Sequence, residues 1–494
     1  MNPTAPLESE SFNYIEFQQM CETAYTLKAH ELTQYLEGAA VKRKFTQKMS
    51  EIFAAHEVNP IEAWTRANIS AFRSDGTPIT NDMTESMNAL SKSTNVSIFR
   101  VFAYIDELRR ANPSFALNMQ RPGHLAKSHA ALENIVAENS HKERMAYLQA
   151  VNAVVSLAVE PTNEAHARAA ATFVNDLLAS HELLATLAAN LRTLHNEKAS
   201  DYMRKNPQLC LLGKLKEQYV LLNTLYKLVS SGRAERYAEN EFEGLFKLFI
   251  EQKFAGVIGG NGDDMFVSVS ADPLVRGLAA DNGLCQLFIS LAFVFSGQSL
   301  SRGALSNAYL KYLQTISDKA MSLIIANEDL LLESTKLSFF MTTFVAYVQS
   351  VIKVGSRGDS PAVGALEAIL ERNHPDTAEF YPEHIADVLE ALRSAKPGER
   401  NEYRTVLRRV LESLWAYERH NPDTIETMFK GRQYFSETLL SIFAEVMKNE
   451  HTFVEFWEDE ESAAGLQNIT KAWMHGFPYY TSNFLRTVEV LLGS

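Results

Sequence analysis

Cysteine is scarce in this sequence: Cys21, Cys210 and Cys285 are the only three among 494 residues, far apart and each in an apolar, helix-like context. No disulfide framework is implied, and a reducing, cytoplasmic setting with the thiols held as core residues is the expectation. Glycine and proline are sparse as well. The 22 glycines and 15 prolines compare with roughly 35 and 25 at average usage for a chain of this size, so turns are few and elements long. No apolar run reaches the ~20 residues that a membrane-spanning helix needs. The longest, 284–295 and 337–352, are interrupted by Gln286 and Ser290 and by Ser338, Thr342, Thr343, Gln349 and Ser350. Both are read as buried core helices, with no integral membrane segment. A secretion signal is not expected, because residues 1–16 are polar and acidic where a basic start and an apolar core are required. Basic residues number 47 against 60 acidic ones, a formal net charge of -13. That balance repels phosphate backbones, so nucleic acid is not an expected partner.

Catalytic and metal signatures are missing too. There is no G-x-x-x-x-G-K-[ST] phosphate loop and no G-x-S-x-G nucleophile elbow. His181-Glu182 opens like a zinc-binding helix, but Ala185 stands where the second ligand belongs. His124 and His129 are five apart and do not share a helical face as an i, i+4 pair would. The run Gly259-Gly260-Asn261-Gly262-Asp263-Asp264-Met265-Phe266-Val267 fits a calcium nonapeptide but stands alone, without the stacked neighbour that would complete the coordination. It reads as the tip of a small β-hairpin with arms inside 257–269. No catalytic, cofactor or metal residue is assigned, and no cofactor is expected.

What the chain does contain is helix punctuation. Asn-Pro occurs at Asn2, Asn59, Asn112, Asn206 and Asn421, and the later copies precede stretches with helical apolar spacing. Asn can accept from an orphan N–H of the first turn, and Pro fits there with its φ preset. Arg73–Pro78 and Arg121-Pro122-Gly123 break the pattern, which resumes around Thr84 after the first. Between 126 and 194 the helices are long and rich in Ala and Leu, with Ala167, Ala169, Ala170 and Ala171 permitting close approach. Leu211, Leu215, Tyr219, Leu222, Leu225 and Val229 mark one buried helical face. The organisation read from this is an N-terminal helical region 1–83, an Ala/Leu-rich helical region 84–205, a helical core region 206–354, a looser Gly/Pro-containing connector 355–400 and a C-terminal helical region 401–494. His374-Pro375-Asp376-Thr377 is echoed by Asn421-Pro422-Asp423-Thr424 at an offset of 47 residues, a period that suits HEAT or armadillo units. The expected fold is therefore all-α: an irregular armadillo/HEAT-like solenoid or stacked helical bundles, with at most one small β-hairpin.

Ordered landmarks over residues 272–446 carry a family resemblance. They are Asp272-Pro273-Leu274-Val275 opening an apolar helix, Ser334-Thr335-Lys336-Leu337 leading into Phe344, Tyr403-Arg404 running to Ser413-Leu414-Trp415, and Phe429 followed by Arg432-Gln433-Tyr434-Phe435. This set resembles the helical core of the U-box ubiquitin chain-elongation factors, with 355–398 as an insertion. The resemblance implies an armadillo-like fold and partner binding in the ubiquitin pathway. No U-box pattern follows Phe435, so ligase activity is not implied. An acidic and aromatic stretch, Phe456, Trp457, Glu458, Asp459 and Glu460, is the candidate docking surface: the rings supply area and the carboxylates steer a basic protein partner. The functional expectation is a protein-protein interaction scaffold. The alternative is an enzyme whose site is assembled from sequence-distant residues in a helical groove.

Overall fold

The computed structural model describes residues 80–294 apart from 120, 122, 160–164, 180–181, 198, 231–237 and 253–271, together with helical positions at 315, 444, 485 and 488–489. The hairpin at 257–269, the connector, the tetrapeptide echo, Cys21, Trp415 and Phe456–Glu460 lie outside the described residues. Among those that are described, every regular element is an α-helix. In chain order they are α1 Asn81–Thr94, α2 Ile98–Ala111, α3 Pro113–Met119, α4 His124–Lys127, α5 His129–Val159, α6 Ala165–Ala179, α7 Glu182–Asn196, α8 Asp201–Lys205, α9 Pro207–Ser230, α10 Ala238–Glu251 and α11 Pro273–Val294.

The helix starts follow the polar punctuation, with one instructive exception. Thr80 caps α1 by accepting from the Met83 N–H at 3.3 Å, which starts this helix three residues earlier than apolar spacing alone suggests. Asn112 accepts from the Phe115 N–H at 3.1 Å, and Pro113 begins α3. Asp272 accepts from Leu274 N–H at 2.9 Å and Val275 N–H at 3.3 Å, and Pro273 begins α11. At Asn206-Pro207 the proline begins α9, but the Asn206 side chain donates backwards to the Tyr202 carbonyl at 3.3 Å. It closes α8 instead of capping α9. Gly123 has φ 71, a left-handed conformation that costs glycine nothing, and its N–H reaches Asp82 Oδ2 at 3.1 Å, tying α4 to the start of α1.

Packing begins with a core of Met83, Met87 and Leu90 from α1, Val101, Phe102 and Ile105 from α2, and Leu132 and Val136 from α5. Beyond it the three longest described helices lie side by side, α9 between α5 and α11, with α6 packed along α5 and α7 on α9. Side-chain bonds fix their direction. Glu133 meets Lys205, His141 meets Glu217, Asn152 meets Thr224 and Ser156 meets Lys227. Because both sequence positions rise together, α5 and α9 run parallel. Gln208 to Asp272 and Leu215 to Asn282 give the same result for α9 and α11. Parallel neighbours need a return path, and α6 with α7, then α10, lie in the chain between them.

This placement revises the reading of α9 as a helix with one buried face. Leu211, Leu215, Leu222, Leu225 and Val229 are buried as expected, with Tyr219 half-buried. Lys214, Glu217, Gln218, Leu221, Thr224, Lys227 and Leu228 are buried as well. Apolar spacing registers only the side that packs through hydrocarbon, whereas α9 is also enclosed on a side that packs through charge. The run 284–295 falls in α11, where Gln286 and Ser290 are fully buried. No described helix is long and apolar enough to cross a membrane.

Candidate functional site

The densest chemistry among the described residues is a charged cluster between α5 and α9. Its centre is Glu217, which is 0% exposed. Glu217 Oε1 lies 2.6 Å from His141 Nδ1 and accepts from Arg144 Nε at 3.1 Å, both from α5. The two partners are one helical turn apart, so a single carboxylate on the facing helix answers both. Gly213, one turn before Glu217, makes room for the imidazole: a Cβ there would lie 3.3 Å from His141 Nδ1 and Cε1. A glycine inside a helix costs up to about 1 kcal/mol against alanine, and close approach of the ring is what it permits here.

The cluster continues on both sides. Lys214 Nζ lies 2.7 Å from Glu197 Oε2, both largely buried, and Asn95 Nδ2 donates to Glu197 Oε1 at 3.3 Å. Burial raises the Glu197 pKa, but Lys214, Arg144 and these hydrogen bonds outweigh it and hold the carboxyl below the usual range. For Arg144 burial works against the charge, while Glu217 and Glu197 outweigh it and keep the guanidinium protonated. From α2, Arg100 Nη1 pairs with Glu143 Oε1 at 2.8 Å and the Tyr104 hydroxyl donates to Glu143 Oε2 at 2.6 Å. Burial, then the Glu143 charge, pushes the Tyr104 hydroxyl far above its ordinary range, so it stays protonated and donates to Glu143. Three carboxylates, Glu143, Glu197 and Glu217, thus stand against three cations, Arg100, Arg144 and Lys214. Their charges balance, with Glu217, Lys214 and Glu197 withdrawn from water and Arg100, Glu143 and Arg144 partly reached by it.

Further contacts extend along the same helices. Glu133, 3% exposed, meets Lys205 Nζ at 2.9 Å and His129 Nε2 at 3.2 Å. Burial raises its pKa, yet the hydrogen bonds from Lys205 and Ser93 prevail and lower it. Farther along, Asn152 Nδ2 donates to Thr224 Oγ1 at 2.9 Å, while Lys227 Nζ donates to Asn152 Oδ1 at 3.1 Å and to Ser156 Oγ at 2.8 Å. Chemically this is a ladder of polar and charged contacts, in which Glu217 Oε2 and Arg100 Nη2 are left without a hydrogen-bond partner. It fixes the register of α5 on α9, because a slip by one turn would part every rung.

A second polar array lies between α9 and α11. Gln218, Asn282 and Gln286 are each 0% exposed. Asn282 Nδ2 donates to the Leu215 carbonyl at 3.0 Å, and Gln286 Nε2 donates to Gln252 Oε1, whose own amide lies 3.3 Å from His195 Nδ1. Both amide atoms of Gln218, Asn282 Oδ1 and Gln286 Oε1 have no protein partner. Each such orphan costs ~1–3 kcal/mol. Burial lowers the His195 pKa against an opposing pull from Glu251 and keeps the ring neutral, as an accepting Nδ1 requires.

The other candidates divide. His124 stacks edge-on to Phe115 with centroids 6.3 Å apart, and His129 pairs with Glu133, so the two do not share a site. Among the described residues no group of three or more His, Cys, Asp and Glu could hold a metal. Cys210 and Cys285 are half-buried. Burial pushes the Cys210 thiol up to about 11, so it is protonated at neutral pH and a weak nucleophile. The charged cluster is not visible in sequence, since nothing in His141-Lys142-Glu143-Arg144 or in Lys214, Lys216 and Glu217 sets these charges apart from those of an ordinary solvated helix face. No family model matches the chain, and no curated protein or solved structure matches it.

Acidification is expected to destabilise the fold. His195 has a folded pKa below 6.5, and Glu133 and Glu197 have folded pKa values below 4.5. In each case the unfolded chain binds protons first as pH falls, so the stabilisation is present above these ordinary values and is lost below them. Urea midpoints should hold above neutrality, decline below pH ~6.5 and fall faster below ~4.5, with Glu197→Gln flattening the last part. A midpoint rising on acidification, or an unaltered slope in Glu197→Gln, would contradict the assignment.

Proposed function

We propose that the protein is an interaction scaffold whose helical surface binds another protein. The observation that carries this reading is the side-by-side parallel layer of α5, α9 and α11, held in register by buried charge. Stacked helices of this kind build the extended surfaces on which helical-repeat proteins bind partners, and an armadillo/HEAT-like continuation of the layer is part of the proposal. At one end of the layer the Gln208–Asp272 bond brings the starts of α9 and α11 together. There Leu209 and Leu274 are 58% and 69% exposed. Large apolar side chains left in water beside each other are suited to contact a partner.

The ubiquitin pathway as the setting rests on the family resemblance, of which the described residues include Asp272–Val275 at the start of α11. The enzyme alternative has less support. Its best-placed pair, His141 with Glu217, is tied into an ion network in which Glu217 already engages both His141 Nδ1 and Arg144. Affinity capture with the full chain should recover a stoichiometric protein partner, and Leu209→Glu with Leu274→Glu should weaken that complex at least ~10-fold with helical content unchanged. Recovery of ubiquitin-pathway proteins would support the setting. Neither a partner nor self-association on sizing would set the scaffold reading aside.

A further inference from the structure

The contact between α9 and α11 changes character along its length. Leu211 and Leu215 pack with Val275 and Ala279 near the helix starts, an ordinary apolar seam. One turn further, the facing positions become Asn282, Gln218 and Gln286. Leu211, Leu215 and Gln218 share one stripe of α9 at spacings of four and three. Val275, Ala279, Asn282 and Gln286 share one stripe of α11 at spacings of four, three and four. Because the helices run parallel and the Leu215 carbonyl is bonded to Asn282, Gln218 and Gln286 lie at the same level, one turn beyond that bond.

All three amides are 0% exposed, and four of their polar atoms lack a protein partner. Gln218 lacks partners at both of its amide atoms. The chain His195–Gln252–Gln286 passes a donor from each amide to the next and leaves Gln286 Oε1 open at its end. Buried polar groups of this kind are commonly satisfied by internal water, which binds where several of them converge.

We propose that the α9–α11 seam is a binding site for internal water, held by the side chains of Gln218, Asn282 and Gln286. Three open acceptors, Gln218 Oε1, Asn282 Oδ1 and Gln286 Oε1, need three hydrogens and one water brings two, so more than one molecule is required. Gln218 Nε2 donates to a water oxygen. The open atoms of the seam are mostly acceptors, which suits a small hydrogen-bond donor.

Oxygen-17 magnetic relaxation dispersion on the full chain reads long-lived internal water directly. The dispersion amplitude should fall by at least one water's contribution in Gln218→Leu with Gln286→Leu, helical content being unchanged. An unaltered amplitude in the folded double variant would overturn the proposal. If that variant does not fold, the nearly isosteric Gln218→Met should show a smaller loss of the same signal, and a high-resolution structure of the parent protein should show ordered water within hydrogen-bond distance of Gln218. Direct amide-to-amide bonds across a dry seam, or an amplitude unchanged by Gln218→Met, would overturn it equally.

Discussion

Glu217→Ala should destabilise the protein by about 3–5 kcal/mol, the cost of breaking a buried ion pair from one side. The carboxylate is fully buried, and its loss removes one negative charge beside the Arg144 guanidinium and the partner of His141 Nδ1. Glu217→Gln keeps the shape and removes the charge, so it should fall between the parent and the alanine variant. The loss belongs to the broken pair and not to the absence of charge in itself. Replacing Glu217, His141 and Arg144 together by leucine should therefore recover much of the stability, since a well-packed apolar substitute for a buried ion cluster is often neutral. Urea unfolding followed by helical ellipticity checks the series. A Glu217→Ala midpoint equal to the parent's would mean that the Glu217 carboxylate is not withdrawn from water as the structure has it.

Tyr147→Ala should cost a similar ~3–5 kcal/mol by a different mechanism. Tyr147 is among the largest fully buried side chains described, and its neighbours in α5 include the buried Leu148, Ala150, Val151 and Val154. Truncation removes the ring's transfer free energy and leaves a cavity that packed helices only partly fill. Leu117, 69% exposed on α3, is the matching control. Its replacement by alanine should change stability by no more than about 0.5 kcal/mol. Equal midpoints for the two variants would place α5 nearer the surface than the structure has it.

The elements were legible because their signals are local. Pro113, Pro207 and Pro273 each begin a helix, Gly123 takes the left-handed turn between two others, and the Ala/Leu-rich stretch from 126 to 194 forms long helices. Ala170, among the alanines singled out for close packing, is fully buried. The charged cluster was illegible because its signals are not local. Glu217 is joined to His141 and Arg144 across 76 and 73 residues, and nothing near any of them says that the charges will be buried. Within its own segment each looks like a helical surface residue. The Asn206 side chain shows the same limit at short range: an Asn-Pro pair announces a boundary, but which helix the amide serves depends on the carbonyl it meets, and at Asn206 that carbonyl belongs to α8.

The shared direction of α5, α9 and α11 also has an electrostatic consequence. Each helix carries roughly half a positive charge at its start and half a negative charge at its end. Antiparallel neighbours cancel these fields, whereas parallel ones add them, so this layer is polarised from one edge to the other. The side chains oppose that polarisation. Glu133 sits in the early turns of α5, Asp272 bonds to the first N–H groups of α11, and Lys227 lies in the last turn of α9. The edge bearing Leu209 and Leu274 is where the helix starts gather, and Asp272 and Glu133 are the carboxylates that answer their partial positive charge.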